Sequence, residues 1–329
     1  MRPIRSLCIL MFLIIVASPV AGAVKKITII HSNDLHSHLL GFSPNTDFSP
    51  LQTHDDDTVG GWARLTTVIK QVKQQRNNPV LVLDAGDFLM GSLFHMLSRE
   101  EAFELQLMKK MGYDVITLGN HEFDLKPTGL ARILSTAHQQ GQLPSIVLSN
   151  AIFSETSTDD DVLEKIFDKK IVKPYRIIET DGLRIGFFGL MGKDAAEVAP
   201  FAAPVTFGDP IASAQKMVKL LREKEKVDIV ICLSHSSLAD DPKQSEDEIL
   251  AKEVAGIDII ISGHTHTKAD VRKVNDTLIV QSWCYGKLLG VMDIVWSDGK
   301  VSLQNYRAVE INDAIKGDAL RRRRIGLCR

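Results

Sequence analysis

Short apolar runs and amphipathic stripes alternate along most of this chain. The runs 26–30, 79–83, 115–118, 145–148, 228–233 and 257–261 read as strands. Leu65, Val68, Ile69 and Val72 behind Gly60-Gly61, a segment over 100–111, and Leu130, Ile133, Leu134 and Ala137 repeat instead at helical spacing. Strand, helix, strand is the grammar of a parallel sheet. Farther on, 171–180 and 183–190 flank Asp181-Gly182, a strong hairpin signal, so the sheet system is not purely parallel. Asp209-Pro210 caps a helix whose stripe is Ile211, Ala214, Met217, Val218 and Leu221. From Leu278 through Trp296 to Tyr306 the chain alternates and turns at Asp298-Gly299, like an antiparallel finish.

The polar stretches and the ends add the address. Gly41 to Thr58 is a polar loop, and its run Asp55-Asp56-Asp57 reads as solvated. Residues 154–161 read as an acidic surface excursion. Arg2 and Arg5, an apolar core over 7–16 and Ala21-Gly22-Ala23 make residues 1–23 a signal peptide, cleaved after Ala23. No other segment is suited to cross a membrane, which predicts a periplasmic or secreted protein without stable membrane insertion. The remaining chain has room for one large domain or two small ones, with no repeat or convincing linker. A net charge of -2 argues against a nucleic acid polymer as partner. Cys8 leaves with the leader; Cys232 sits in an apolar run and reads as a buried hydrophobe, with a bridge to Cys284 left open and Cys328 near the end.

Candidate chemistry sits where apolar runs stop. Gly119-Asn120-His121-Glu122-Phe123-Asp124 follows one strand, with Asp124 close enough to hold the His121 imidazole in one tautomer. Asp34 and His36 follow another, two apart, so that on an extended backbone both point to one side. Asp87 follows Gly86, whose tight turn leaves it projecting; His235, and His264 with His266, close two more runs. Five strands thus end in metal-capable residues, all nitrogen and oxygen donors without thiolate, which suits zinc, manganese or iron. Seven candidates exceed what one ion takes while keeping an open position, so two ions sharing a carboxylate are expected. Against Asp34 and Asp87 two divalent ions leave an excess of about two positive charges. A phosphoryl group is the natural guest of a pair about 3.5–4 Å apart.

In order, Asp34-x-His36, Gly86-Asp87, Gly119-Asn120-His121-Glu122, His235 and Gly263-His264-x-His266 resemble the signature of the calcineurin-like metallophosphoesterases. Asn33 to His38, Gly60-Gly61-Trp62-Ala63-Arg64-Leu65, Gly112-Tyr113-Asp114 and Gly119 to Asp124 are similar to blocks of the exported 5′-nucleotidase family within it. The resemblance spans about residues 26–310 and implies an α/β fold, a four-layer α/β/β/α sandwich with two mixed sheets. It implies two divalent ions, zinc or manganese: one on Asp34, His36, Asp87 and His266, the other on Asp87, Asn120, His235 and His264, with Asp87 bridging. A metal-held hydroxide would attack phosphorus in line, while His121, oriented by Asp124, stabilises developing charge or protonates the leaving oxygen. The implied partner is a small-molecule phosphate ester, a nucleotide.

The expected organisation is a catalytic domain over 24–315 and a tail over 316–329. Nucleotidases of this family carry a C-terminal domain that stacks the base and helps to hold phosphate, and the chain stops short of it. The basic stretch 320–329 resembles nothing in the family and reads as a truncated or frame-shifted end. Some relatives end the last block in Gly-His-x-Gln or Gly-His-x-Asn, where this chain has His266. Phosphoesterase chemistry is therefore expected first and 5′-nucleotidase-like phosphomonoesterase specificity second. Cyclic nucleotides, nucleotide sugars and sulfur compounds are alternative substrates on the scaffold, and an inactive exported binding module is the non-enzymatic alternative. His31, His38, His54, His95 and His138 read as polar or structural, with His38 and His95 nearest the motifs.

Overall fold

The first sheet grows outward from β1 (Lys25–Ser32), which lies parallel to β2 (Val80–Asp84) and antiparallel to β14 (Leu288–Ser297). β3 (Val115–Thr117), β4 (Ser145–Val147) and β6 (Val172–Lys173) extend the parallel side, and β15 (Lys300–Glu310) closes the antiparallel one, giving the order β15-β14-β1-β2-β3-β4-β6. A ribbon of β5 (Ala151–Ile152) and β9 (Thr206–Phe207) stands apart. In the second sheet β8 (Leu183–Met191), β10 (Ile229–His235), β11 (Ile259–Ser262) and β13 (Thr277–Ser282) run parallel. β7 (Tyr175–Thr180) and β12 (Lys268–Val274) are its antiparallel edges. The computed structural model describes residues 24–43 and 48–318; the expected signal peptide with Cys8, and 319–329 of the expected tail with Cys328, lie outside the described residues.

Strand alternation builds the layers. Ile27 and Ile29 of β1 face Phe187, Ile231 and Ile261 of the second sheet, whereas Ile30 faces the helices. α1 (Trp62–Gln75), α3 (Phe103–Met111), α4 (Lys126–Gln139) and α5 (Asp161–Asp168) cover that outer side through residues such as Leu65, Ile69, Met108, Leu134 and Leu163. Ala214 and Met217 of α7 (Pro210–Lys219) and Leu250 of α8 (Glu246–Glu253) cover Phe188, Val230 and Cys232 on the far side. The result is the expected α/β/β/α sandwich, and it explains the uninterrupted apolar runs: central strands have both faces buried. The sheets press together at Gly189, where a Cβ would stand 2.2 Å from the Val147 carbonyl oxygen.

Several elements differ from expectation. The helix expected over 100–111 is broken by Ala102, in left-handed backbone (φ 50°), into α2 (His95–Glu101) and α3. The acidic run is not uniformly solvated: Asp56 is buried and pairs with the buried Arg64 at 3.0 Å, an ion pair invisible in local polarity. The single strand expected over 171–180 is divided at Pro174, which lacks a ladder donor, so that β6 and β7 belong to different sheets. The finish is antiparallel in β14 and β15, whereas β13 belongs to the other sheet, antiparallel to β12 on one side and parallel to β11 on the other. Within 154–161, Asp160 is buried and accepts the Ser154 N–H, and Asp161 opens α5. Cys232 and Cys284 are both buried and unbridged.

One packing contact behind the strand ends carries a pH signature. Glu104 of α3 is fully buried, accepts the Ser37 hydroxyl at 2.8 Å through one oxygen, and leaves the other without a hydrogen-bond partner. Burial pushes its carboxyl up to about 7 from 4.5. The folded state then binds the proton more tightly than the unfolded chain, so this contribution is complete below 4.5 and is lost as pH rises through 7. Glu104→Gln should therefore raise the melting temperature at about pH 8 and change it little near 4.5. An equal fall at both values would contradict this assignment, with thermal melts as the measurement.

Candidate dimetal centre

All seven predicted donors stand at the carboxyl ends of five strands, three from the first sheet (β1, β2, β3) and two from the second (β10, β11). Their backbones are unusual. Asp34, His36, Asp87, His264 and His266 all adopt left-handed φ values, between 46° and 74°. The extended backbone expected for Asp34 and His36 is thus absent: they sit on a turn tied down by the Asp34 N–H to the Gly86 carbonyl and the His36 N–H to the Asp87 carbonyl, both 2.9 Å. Strain of about 1–3 kcal/mol per residue persists only where surroundings over-determine it, and functional sites are where it collects.

The side chains close into two overlapping sets. His36 Nε2 lies 3.8 Å from both Asp34 Oδ1 and Asp87 Oδ2 and 3.0 Å from His266 Nε2, which is 3.4 Å from Asp34. On the other side His235 Nε2 lies 3.2 Å from Asp87 Oδ2 and 3.1 Å from Asn120 Oδ1, and His264 Nδ1 meets the same amide oxygen at 3.1 Å. Donor atoms of Asp34, His36 and His266, and those of Asp87, His235 and His264, fall within 4.8 Å of one another. Asp87 touches both sets. Gly119 is required here, since a Cβ would come within 2.2 Å of Asp87 Oδ1.

Electrostatics fits a cationic guest. Burial alone would keep the His235 imidazole neutral, yet Asp87 holds a proton on it up to about 10, and Asp34 does the same for His266 against burial. Burial also works against an ionised Asp87, but His235, His36 and His121 outweigh it and hold its carboxyl well below the usual range. Imidazolium is here the counter-charge of buried carboxylates. Divalent ions would take that part and leave the rings as neutral ligands. The donor set therefore fits the metal pair that its chemistry implied.

His121 stands apart in its bonding. Its Nδ1 lies 2.6 Å from Asp124 Oδ2, its N–H donates to Asp87 Oδ1 at 2.9 Å, and its half-exposed ring is edge-on to His36 at 5.1 Å. The Asp124 hydrogen bond is the main reason its pKa rises to about 8, against burial.

Three carboxylates escaped the sequence reading as contributors. Buried Glu122 accepts the N–H groups of Asp87 (2.9 Å), Leu89 (2.9 Å) and Gly119 (2.6 Å), and so locks the β2 and β3 loops together. Asp194, on α6 (Lys193–Glu197), lies 3.2 Å from His264 Nε2, so the Nδ1 lone pair faces Asn120. Glu246 of α8 in turn accepts the N–H groups of Lys193 and Asp194 at 3.1 Å each. Glu122 stood inside a quoted motif, whereas nothing local marks Asp194. Asn33 completes the cradle, donating to Asp34 Oδ2 at 2.6 Å. Of the remaining histidines, His38 stacks on Tyr285 beside the centre, His31 is buried against Tyr306, His95 opens α2, and His54 and His138 are exposed.

Residues 27–268 match the Calcineurin-like phosphoesterase family, and the chain belongs to it. Within that family it is similar to nucleotide-directed proteins. It is 33% identical over 306 residues to the trifunctional nucleotide phosphoesterase YfkN of Bacillus subtilis, covering 85% of this chain and 19% of that protein. The 5′-nucleotidase of Rattus norvegicus is 27% identical over 326 residues (89% and 50%). The solved 5′-nucleotidase precursor of Thermus thermophilus superposes with a TM-score of 0.71 at 30% identity, covering 89% of this chain and 56% of that one. The chain spans about half the length of most such relatives, and much less of YfkN. Both the expected family and the expected fold are borne out.

Asp194→Ala should weaken divalent metal binding by about tenfold, by freeing the His264 ring, while Asp194→Asn keeps an acceptor and loses less. Metal retention against graded chelator measures this; affinity unchanged in the alanine variant would remove Asp194 from the centre.

Proposed function

We propose that this chain is a dimetal-dependent phosphoric ester hydrolase that acts as a 5′-nucleotidase-like phosphomonoesterase. The observation that carries the reading is the meeting of seven nitrogen and oxygen donors, Asp87 among them, from five strands in two adjoining sets. Asp34, His36, Asp87 and His266 would hold one ion; Asp87, Asn120, His235 and His264 would hold the other. Zinc or manganese suits the set. When bound, such a pair supplies Lewis-acid stabilisation of phosphoryl oxygens and an activated water.

The chain's own residues supply positioning and a proton. Asp124 occupies the Nδ1 side of His121, which leaves Nε2 as the free nitrogen of that ring. The Asp124 hydrogen bond raises its pKa to about 8, and its half-exposed ring would offer the Nε2–H to the leaving oxygen. Glu122, through its three N–H contacts, keeps Asp87 and Gly119 in register so that neither loop must reorganise during the reaction. Nucleotides are the proposed substrates because relatives by sequence and by structure are named as a nucleotide phosphoesterase and as 5′-nucleotidases. Residues 24–315 are proposed as the catalytic unit. Export follows from the leader read in residues 1–23, and no helix among the described residues is long and apolar enough to cross a membrane.

Hydrolysis of a nucleoside 5′-monophosphate and of an aryl phosphate, abolished by chelator and restored by zinc or manganese, is the direct test. His121→Gln should lower kcat by about 10²–10⁴ while two metal equivalents remain bound. Full activity in that variant would contradict the role of His121, and activity indifferent to chelator would contradict the dimetal reading.

A further inference from the structure

No donor of the centre comes from β13, yet the carboxyl end of that strand is fastened to donor loops of both sheets. Gln281, a buried residue of β13, bonds to both ends of the loop 263–267 that carries His264 and His266. Its Nε2 donates to the Gly263 carbonyl at 2.6 Å and to Ser262 Oγ at 3.2 Å, and its Oε1 accepts the Thr267 N–H. The next residue reaches the other sheet. The Ser282 N–H and hydroxyl both donate to Asn33 Oδ1 at 2.8 Å, and Asn33 in turn donates to the Trp283 carbonyl beside its bond to Asp34.

The loop itself is irregular. His264 and His266 both stand in left-handed backbone (φ 74° and 51°), a conformation that persists only where surroundings impose it. Within the loop the Thr265 N–H donates to the Gly263 carbonyl at 3.0 Å; from outside, the Trp283 N–H donates to the Thr267 carbonyl at 3.2 Å. Among the described residues outside the loop, Gln281 alone bonds to the main chain of both Gly263 and Thr267. An amide suits that task because one planar group offers N–H donors on one side and a carbonyl acceptor on the other. A carboxylate of the same shape would accept from Thr267 but set a second oxygen against the Gly263 carbonyl. An aliphatic side chain would leave the Thr267 N–H without its buried acceptor.

In the proposed centre His264 and His266 belong to different ions, so the ends of this loop govern where the two rings stand relative to each other. We infer that Gln281 is a positioning residue of the centre: by gripping Gly263 and Thr267 it holds His264 and His266 at the separation that two ions require. The inference rests on the dimetal reading above and gives Gln281 no contact with metal or substrate. Outer partners of this kind are worth about 10–100-fold in metal affinity.

Two variants of the full chain test it: Gln281→Met, which keeps the bulk and loses the amide bonds, and Gln281→Glu, which keeps only the acceptor. Each should bind manganese about tenfold more weakly than the wild type, measured by competition with a graded chelator. In metal-free protein labelled at histidine, the NMR resonances of the His264 and His266 rings should shift in both variants, while those of the exposed His138 hold. A merely structural role would lower the melting temperature and move neither readout. Unmoved resonances, or wild-type affinity, in both variants overturn the assignment. Should Gln281→Met not fold, Gln281→Glu decides on the same two readouts. If the wild type itself takes up no manganese or zinc, the dimetal reading fails on its own, and the two ring resonances alone then uphold or overturn the placement by Gln281.

Discussion

Two buried carboxylates, Asp34 and Asp87, lie within 3.8 Å of one imidazole nitrogen, and that crowding of negative charge is the constraint on which the rest of this molecule depends. A carboxylate taken out of water is tolerated only beside positive charge or several donors. The fold supplies both. His235 and His266, whose imidazoles hold a proton beside the pair, supply the charge, and N–H groups of His121 and His264 donate to Asp87 and Asp34. The same concentration of charge that burdens folding is what the proposed pair of divalent cations would neutralise.

Holding it requires two sheets rather than one. β1, β2 and β3 bring Asp34, His36, Asp87 and Asn120; β10 and β11 bring His235, His264 and His266. The apolar layer between the sheets therefore sets the separation of the candidate donors, and Gly189, with no room for a Cβ against Val147, shows how closely the layers approach. Left-handed backbone at five of the seven donors is the local strain of turning each side chain inward. Glu122 offsets part of it by capturing the N–H groups of Asp87, Leu89 and Gly119.

The layers, and the strand ends at which the candidate donors gather, were legible because both rest on local pattern. Runs such as 229–233, apolar at every position, announce strands with two buried faces, and a polar donor directly after such a run falls at a sheet's carboxyl edge. The ligands' conformations were not legible: nothing in Asp34-Leu35-His36 distinguishes an extended segment from the left-handed turn imposed by Gly86 and Asp87 of another strand. Long-range pairing hid in the same way. Asp56 looked solvated because its partner Arg64 is on a helix, and Asp194 looked ordinary because His264 lies seventy residues away. The division of 171–180 between two sheets had a local sign, Pro174, whose weight depends on knowing which strands need an unbroken ladder.

Occupancy of the centre is the most direct measure of the dimetal reading. An anomalous-scattering map of crystals grown with zinc or manganese should show two peaks about 3.5–4 Å apart, with Asp87 between them. A single peak, or ions bound away from Asp87, would contradict it.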